Sequence, residues 1–256
     1  MNRIRALTIL LAASLAHGAG TATASASPQL SPPPQRVAPR PPVVPPNRKV
    51  EGKTYAEWSA AWWQWSLALP AVPGHPFFCD PPPFDVTLGQ AGTVWFLGAA
   101  FEPCPHQPRA IAVPHGIKLF VALVNTESSS MEPTPYFGCT EAEQAASATA
   151  FANYIQNPFL VIDGVRLGQI QSYRVVSTQF EVILPVPNVL GVPAGLVSTC
   201  YVPSPPPMQL KGVGDGYFAM IRPLPVGQHT IRFGGDFVGT PFGDFGIDMT
   251  YAVTVY

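Results

Sequence analysis

Charge is what this chain has least of. Its 256 residues include 14 Lys and Arg and 15 Asp and Glu, 11% in all, for a net charge of −1. No basic stripe is visible, which argues against nucleic acid as a partner. Long apolar runs are missing as well, and past the first residues no stretch approaches the length of a bilayer-spanning helix. Familiar chemical signatures are equally thin. There is no G-x-S-x-G elbow, H-E-x-x-H helix, phosphate loop or dinucleotide fingerprint. Cys79, Cys104, His106 and His115 could be read as metal ligands, but they lack any C-x-x-C or H-x-x-x-H spacing, so neither a metal nor a cofactor is expected.

What the chain does have begins at its first residues. Arg3 and Arg5 precede the apolar run 6–16, and small residues follow as far as Ala24-Ser25-Ala26. This pattern predicts a signal peptide over 1–26, cut after Ala26, and a secreted or periplasmic protein. No cysteine stands near that cut to carry a lipid anchor. Residues 27–49 are so rich in proline that an extended tether without a core is expected. Its cations, Arg36, Arg40, Arg48 and Lys49, either touch an anionic cell envelope or are simply solvated. Residues 50–256 have the size of one domain, and a hydrophobic content of 47% supports a large core.

Four of the five tryptophans, Trp58, Trp62, Trp63 and Trp65, fall between Thr54 and Pro70. Thr54 and Glu57 form a T-x-x-E capping arrangement, and Pro70 ends a helix predicted over 55–69. Helical spacing places Tyr55, Trp58, Trp62, Trp65 and Leu69 on one stripe. That stripe buries either against the protein's own sheet or against a ring-shaped ligand such as a sugar. Trp63 lies off the stripe and is the indole expected to be partly exposed. A second capped helix is predicted over 141–156, starting at Thr140 and Glu143.

Strands are expected near 93–101, 109–113, 117–124, 159–163, 173–184, 196–202, 216–222, 228–234 and 245–255. In 245–255 apolar and polar residues alternate, the mark of a sheet with one wet face. Strand 117–124 is apolar on both parities and should be covered twice, the tryptophan helix being one cover. The predicted fold is thus mostly β, an antiparallel β-sandwich or jelly-roll-like domain with a Trp-rich N-terminal helix and a second short helix. Export and an even count point Cys79, Cys104, Cys139 and Cys200 to two disulfides. Of three possible pairings, Cys79 with Cys104 and Cys139 with Cys200 is preferred, because the first two bracket a strand pair.

The motifs Y-x-E-W-S-x-x-W-W-Q-W (Tyr55 to Trp65) and G-Q-x-G-x-V-W-F-L (Gly89 to Leu97) stand out. With Val113-Pro114-x-Gly116-x-Lys118-x-Phe120, Asn125-x-Glu127 and G-x-H-T-I-x-F-G-G (Gly227 to Gly235), they resemble an uncharacterised family of exported bacterial proteins. The resemblance covers most of 54–256 and implies export and a shared fold, but no activity. Relatives often carry a cysteine after the N-x-E glutamate, where this chain has Ser128. The family's disulfide pattern therefore does not transfer, and Cys200 sits in a Pro-rich insertion near 198–207.

Candidate chemistry is sparse. Glu127, just past strand 117–124, opens a polar run and reads either as a loop glutamate or as an acid at a site. Asp215, in Gly214-Asp215-Gly216, reads most simply as a turn residue. His229 shares parity with Ile231 and Phe233 and points to the core or the lip of the sandwich. Glu57 is either a helix cap or an acid beside the stacking indoles Trp58 and Trp63. Asp236, Asp244 and Asp248 lie among Gly-rich turns without a calcium-loop run. The leading expectation is a noncatalytic extracellular binding or surface-association role, with a glycan or cell-envelope component as partner. The alternative is a secreted hydrolase acting on glycans through Glu127 and Asp215.

Overall fold

Both helices begin where their caps dictate. The Thr54 hydroxyl accepts the Glu57 N–H at 3.3 Å while the Glu57 carboxylate accepts the Thr54 N–H at 2.7 Å, which starts α1 (Tyr55–Ala68). Thr140 and Glu143 repeat the exchange at 3.2 and 3.0 Å and start α2 (Glu141–Ala152). The computed structural model describes residues 40–256 apart from 82, 102, 202 and 204. The expected signal peptide, its cut after Ala26 and the first part of the tether lie outside the described residues.

Eleven strands complete the domain, in the order β1 (Val43–Val44), β2 (Val94–Leu97), β3 (Arg109–Val113), β4 (Lys118–Ser129), β5 (Ile155–Ile162), β6 (Val165–Arg166), β7 (Arg174–Val176), β8 (Phe180–Ile183), β9 (Gln209–Ile221), β10 (Gly227–Phe237) and β11 (Phe245–Val255). They form two sheets. One is built on the long antiparallel pair β4–β9, with β2 beside β4 and with β1, β7 and β8 along β9. The other runs β3-β11-β10-β5-β6. The mostly β fold with its Trp-rich helix is as expected, but the sheets are mixed rather than antiparallel, because β2 runs parallel to β4 and β3 parallel to β11.

Four expectations give way to the structure. Residues 40–49 are not a free spacer: Val43 is buried and pairs with Ile221 of β9, since two adjacent valines supply the apolar edge that the prolines around them lack. Of the strand expected over 196–202, residues 196–201 form none, and Cys200 among them is bonded to Cys139. Strand 173–184 is broken at residues 177–179 into β7 and β8, both pairing with β9. Helix α2 stops at Ala152, four residues early, because the chain turns there into β5.

Helix α1 covers one face of the β4–β9 pair, and the second sheet and α2 cover the other. Tyr55 donates to the Val44 carbonyl at 2.6 Å and accepts the Met220 N–H at 2.9 Å, pinning the helix start to β1 and β9. Trp62 donates to Leu97 O at 2.9 Å and meets Phe218 edge-on. The glycines of β9 alternate on this same face, at Gly212, Gly214 and Gly216. A Cβ at 214 would lie 2.1 Å from Trp63 Nε1, and one at 212 would lie 2.8 Å from the Phe180 ring. Trp63 is consequently 4% exposed, not partly exposed as its off-stripe position suggests.

The disulfides join Cys79 to Cys104 and Cys139 to Cys200, the preferred pairing, closing loops of 25 and 61 residues. Two stability predictions follow from this packing. Trp62→Ala should destabilise the domain by about 3–5 kcal/mol in chemical denaturation, as large aromatic deletions from a core do. Reduction should remove about 3–4 kcal/mol per bridge in the chain-entropy picture and sharply lower the melting temperature, whereas a chelator should leave it unchanged.

Candidate functional site

Strand β4 is paired on only part of its β2 side. Pairing with β2 ends at Leu97 opposite Val121, and that edge is next bridged at Ser129, by Phe137. Between these points a cavity of about 320 Å³ opens along β4. Its floor is Ala122, Asn125, Thr126 and Glu127; α1 contributes Trp62 and Trp63, and the second sheet contributes Phe237, Phe245 and Ile247. Eight of its sixteen lining residues are aromatic. Such a mostly apolar cleft with a few convergent polar groups is the usual form of a small-molecule site.

Two residues lining this cavity carry buried polar atoms that make no hydrogen bond to the backbone or to a basic side chain. They are Glu127, through its carboxyl oxygens, and Asn125, through its amide Nδ2; the indole Nε1 of Trp63 is also unpaired but is packed against Gly214 of β9. Buried polar groups are nearly always paired, and an unpaired one costs about 1–3 kcal/mol, so their clustering requires an explanation. Glu127 is 6% exposed, and its carboxyl hydrogen-bonds that of Glu132, whose Oε2 also accepts the Ser129 hydroxyl at 2.9 Å. Burial, and then the charge of Glu132, push the Glu127 pKa well above the ordinary carboxylate value. Burial raises Glu132 too, against the partial relief of its hydrogen bonds. Burial and the Glu132 charge likewise raise Tyr136, which lines the same cavity.

The sequence candidates scatter around this centre. Glu127 is in strand β4 and buried, not in a loop. The run 125–130 looks like a loop because it is polar, yet it continues the ladder with β9. Asp215 is likewise in a strand, Gly214 before it making room for Trp63 of α1 and Gly216 after it for the close approach of Asn125. It is 1% exposed and held bidentately by Arg174 at 2.9 and 2.8 Å. Because Glu127 lies opposite Gly214 and Thr126 opposite Asp215, the two acids project from opposite faces of one sheet and cannot flank one bond.

Trp63 lines the cavity, but Trp58 does not: its indole donates to Val50 O at 3.0 Å in the core. Glu57 is exposed and engaged in its cap, whose Thr54 N–H and hydroxyl hold its pKa down. His229 sits half-buried at the start of β10, between Asp163 at 2.7 Å and Pro225 O at 2.9 Å, away from the cavity. Asp236, Asp244 and Asp248 are engaged separately, with Asn157, the Gly239 N–H and Arg232. Asn125, Glu132 and Tyr136 were not singled out by sequence reasoning. Asn125-Thr126-Glu127 next to a doubly apolar strand is the signal that would have found the first of them.

No protein-family model matches the chain, and neither a curated protein nor a solved structure does.

The buried acid sets a pH dependence of stability. An unfolded glutamate titrates near 4.5, and the folded pKa lies above it, so folding favours the protonated form. The stabilisation is complete below the unfolded pKa and is lost as pH rises toward the folded one. Thermal melts of the ligand-free protein should therefore decline as pH increases from about 5 to about 8. Glu127→Gln should flatten that decline and melt above the parent at the alkaline end.

Proposed function

We propose that this is a noncatalytic binding protein of the cell exterior, which encloses a small, largely apolar molecule in the aromatic cavity. Glu127 and Asn125 hold the polar part of that molecule, and the Trp63 ring lies against its apolar part. The observation that carries this reading is the buried acid pair Glu127 and Glu132, with the unpaired amide Nδ2 of Asn125 beside it, on the wall of an otherwise apolar cavity. A protein needing only a stable core would have an aliphatic side chain at 127, since burying an acid with only another acid for a partner is costly. The two disulfides suit an oxidising compartment, and the signal-peptide pattern at 1–26 agrees. Among the described residues no helix is long and apolar enough to cross a membrane.

A second reading, hydrolysis of glycans, is favoured by one observation: two neighbouring buried carboxyls with raised pKa values line the cavity that holds an indole. In that reading the acids are Glu127 and Glu132, with Asp215 left to its structural ion pair.

Titration with small aromatic, amine and saccharide ligands, followed by tryptophan fluorescence and calorimetry, tests the binding reading. Ile247→Trp, which fills the cavity from the second sheet, should weaken any ligand at least tenfold, about 1.4 kcal/mol, without altering the circular dichroism. Unchanged affinity in that variant would place binding elsewhere. Release of reducing sugar by the parent, lost in both Glu127→Gln and Glu132→Gln, would favour the hydrolase.

A further inference from the structure

Resting on that binding reading, we infer that the molecule enclosed is an organic cation, a quaternary ammonium or protonated amine on an apolar body. The first support is charge. Among the described residues, Glu127 and Glu132 are the only charged ones lining the cavity, and no Lys, Arg or His joins them. None of the ion pairs among the described residues involves either acid; Arg174 is committed to Asp215, Lys211 to Glu181 and Lys118 to Glu51. The two carboxyls have no basic partner and hydrogen-bond each other, so a cation that complements them comes from outside.

The second support is independent of the acids. Trp62, Trp63, Phe77, Tyr136, Phe151 and Phe237 line the same space, and aromatic rings attract a cation through their quadrupole, by about 2 kcal/mol when the site is desolvated. Trp62 and Trp63 stand at 85° to each other with centroids 4.9 Å apart, so the pair offers two differently oriented indole surfaces. A neutral hydrocarbon would use these rings but leave the acids unanswered. A metal ion would use the acids but needs more oxygen donors than two carboxyls supply, and the aromatic rings would be idle. Only an organic cation answers both features. The free Nδ2 donor of Asn125 adds that the same molecule carries an oxygen acceptor.

Proton balance follows. Without ligand the cavity holds its charge down by keeping Glu127 protonated. When the cation enters, the Glu127 O–H bond breaks, the proton leaves to solvent, and the carboxylate pairs with the ligand. One positive charge enters as one departs. The titratable groups facing Glu127 are Glu132 and Tyr136; α1, α2 and the second sheet present only Trp62, Trp63, Phe151, Phe237, Phe245 and Ile247 there. Affinity for a cation that does not itself titrate should therefore rise with pH, by up to about tenfold per unit while one proton is released.

The test is isothermal calorimetry on the whole secreted chain with two probe pairs: choline and phenyltrimethylammonium, each against the neutral isostere in which carbon replaces nitrogen. The cations should bind at least tenfold more tightly than their isosteres at about pH 8, and the preference should shrink toward about pH 5. Glu127→Gln should abolish the preference while retaining the isosteres. Equal or tighter binding of the isosteres by the parent would overturn the cation and leave the cavity reading intact. Failure of both pairs and of the wider ligand panel would overturn both. Should Glu127→Gln fail to fold, the isostere comparison on the parent still decides.

Discussion

The fit of one indole against a strand without side chains organises this molecule. Trp63 lies over Gly214 so closely that no Cβ could stand there, and its ring stacks on Phe180 at 11°. This contact lets α1 settle deep on β9, which in turn brings Trp62 to Leu97 and Phe218 and Tyr55 to Met220. Because the helix is sunk in this way, β4 has apolar cover on both faces. Its continuation past Val121, where β2 no longer pairs with it, then becomes the floor of a cavity rather than an exposed edge. Glycines 212, 214 and 216 weaken a strand on their own account, having no side chains to pack. Burial of the Trp63 indole against Gly214 and of the Phe180 ring against Gly212 offsets that weakness.

The same sheet carries a built-in comparison. Asp215 and Glu127 lie one register position apart, both nearly inaccessible, on opposite faces. Asp215 receives two hydrogen bonds from Arg174 and is explained by the fold. Glu127 has another buried acid, Glu132, as its hydrogen-bond partner and carries a raised pKa. An acid whose charge the fold does not balance persists only where something other than folding depends on it, and the contrast separates the structural acid from the candidate functional one.

Much of the architecture is legible in the sequence where local rules act alone. The capping boxes at Thr54 and Thr140 mark both helix starts, and alternation over 245–255 reproduces β11 residue for residue. The expectation of export, with four cysteines, leads to the two bridges. Legibility ends where tertiary context reverses a local signal. Asn125 to Ser130 is polar and reads as loop, yet β9 extends its ladder through it. Gly-Asp-Gly reads as turn, yet Gly214 is there for the Trp63 indole that α1 places on it and Gly216 for the close approach of Asn125. Val43-Val44 inside a proline tract reads as spacer, yet β9 has an open edge to pair with it.

The site was half legible for the same reason. Glu127 could be chosen as an acid from its place at the end of an apolar strand, but its partner could not. Asp215 is near in the ladder and Glu132 near in sequence, and only the pleat decides between them. Residues one register step apart face opposite ways, whereas the chain leaving β4 folds back at Ser129 and returns Glu132 to the face it left. A carboxyl pair formed by such a return needs no long-range topology, so its spacing, E-x-x-x-x-E across a strand end, is written in the sequence. What is not written there is the burial that gives the pair its chemistry. That comes from the aromatic residues of α1, α2 and the second sheet, which meet only in the folded chain.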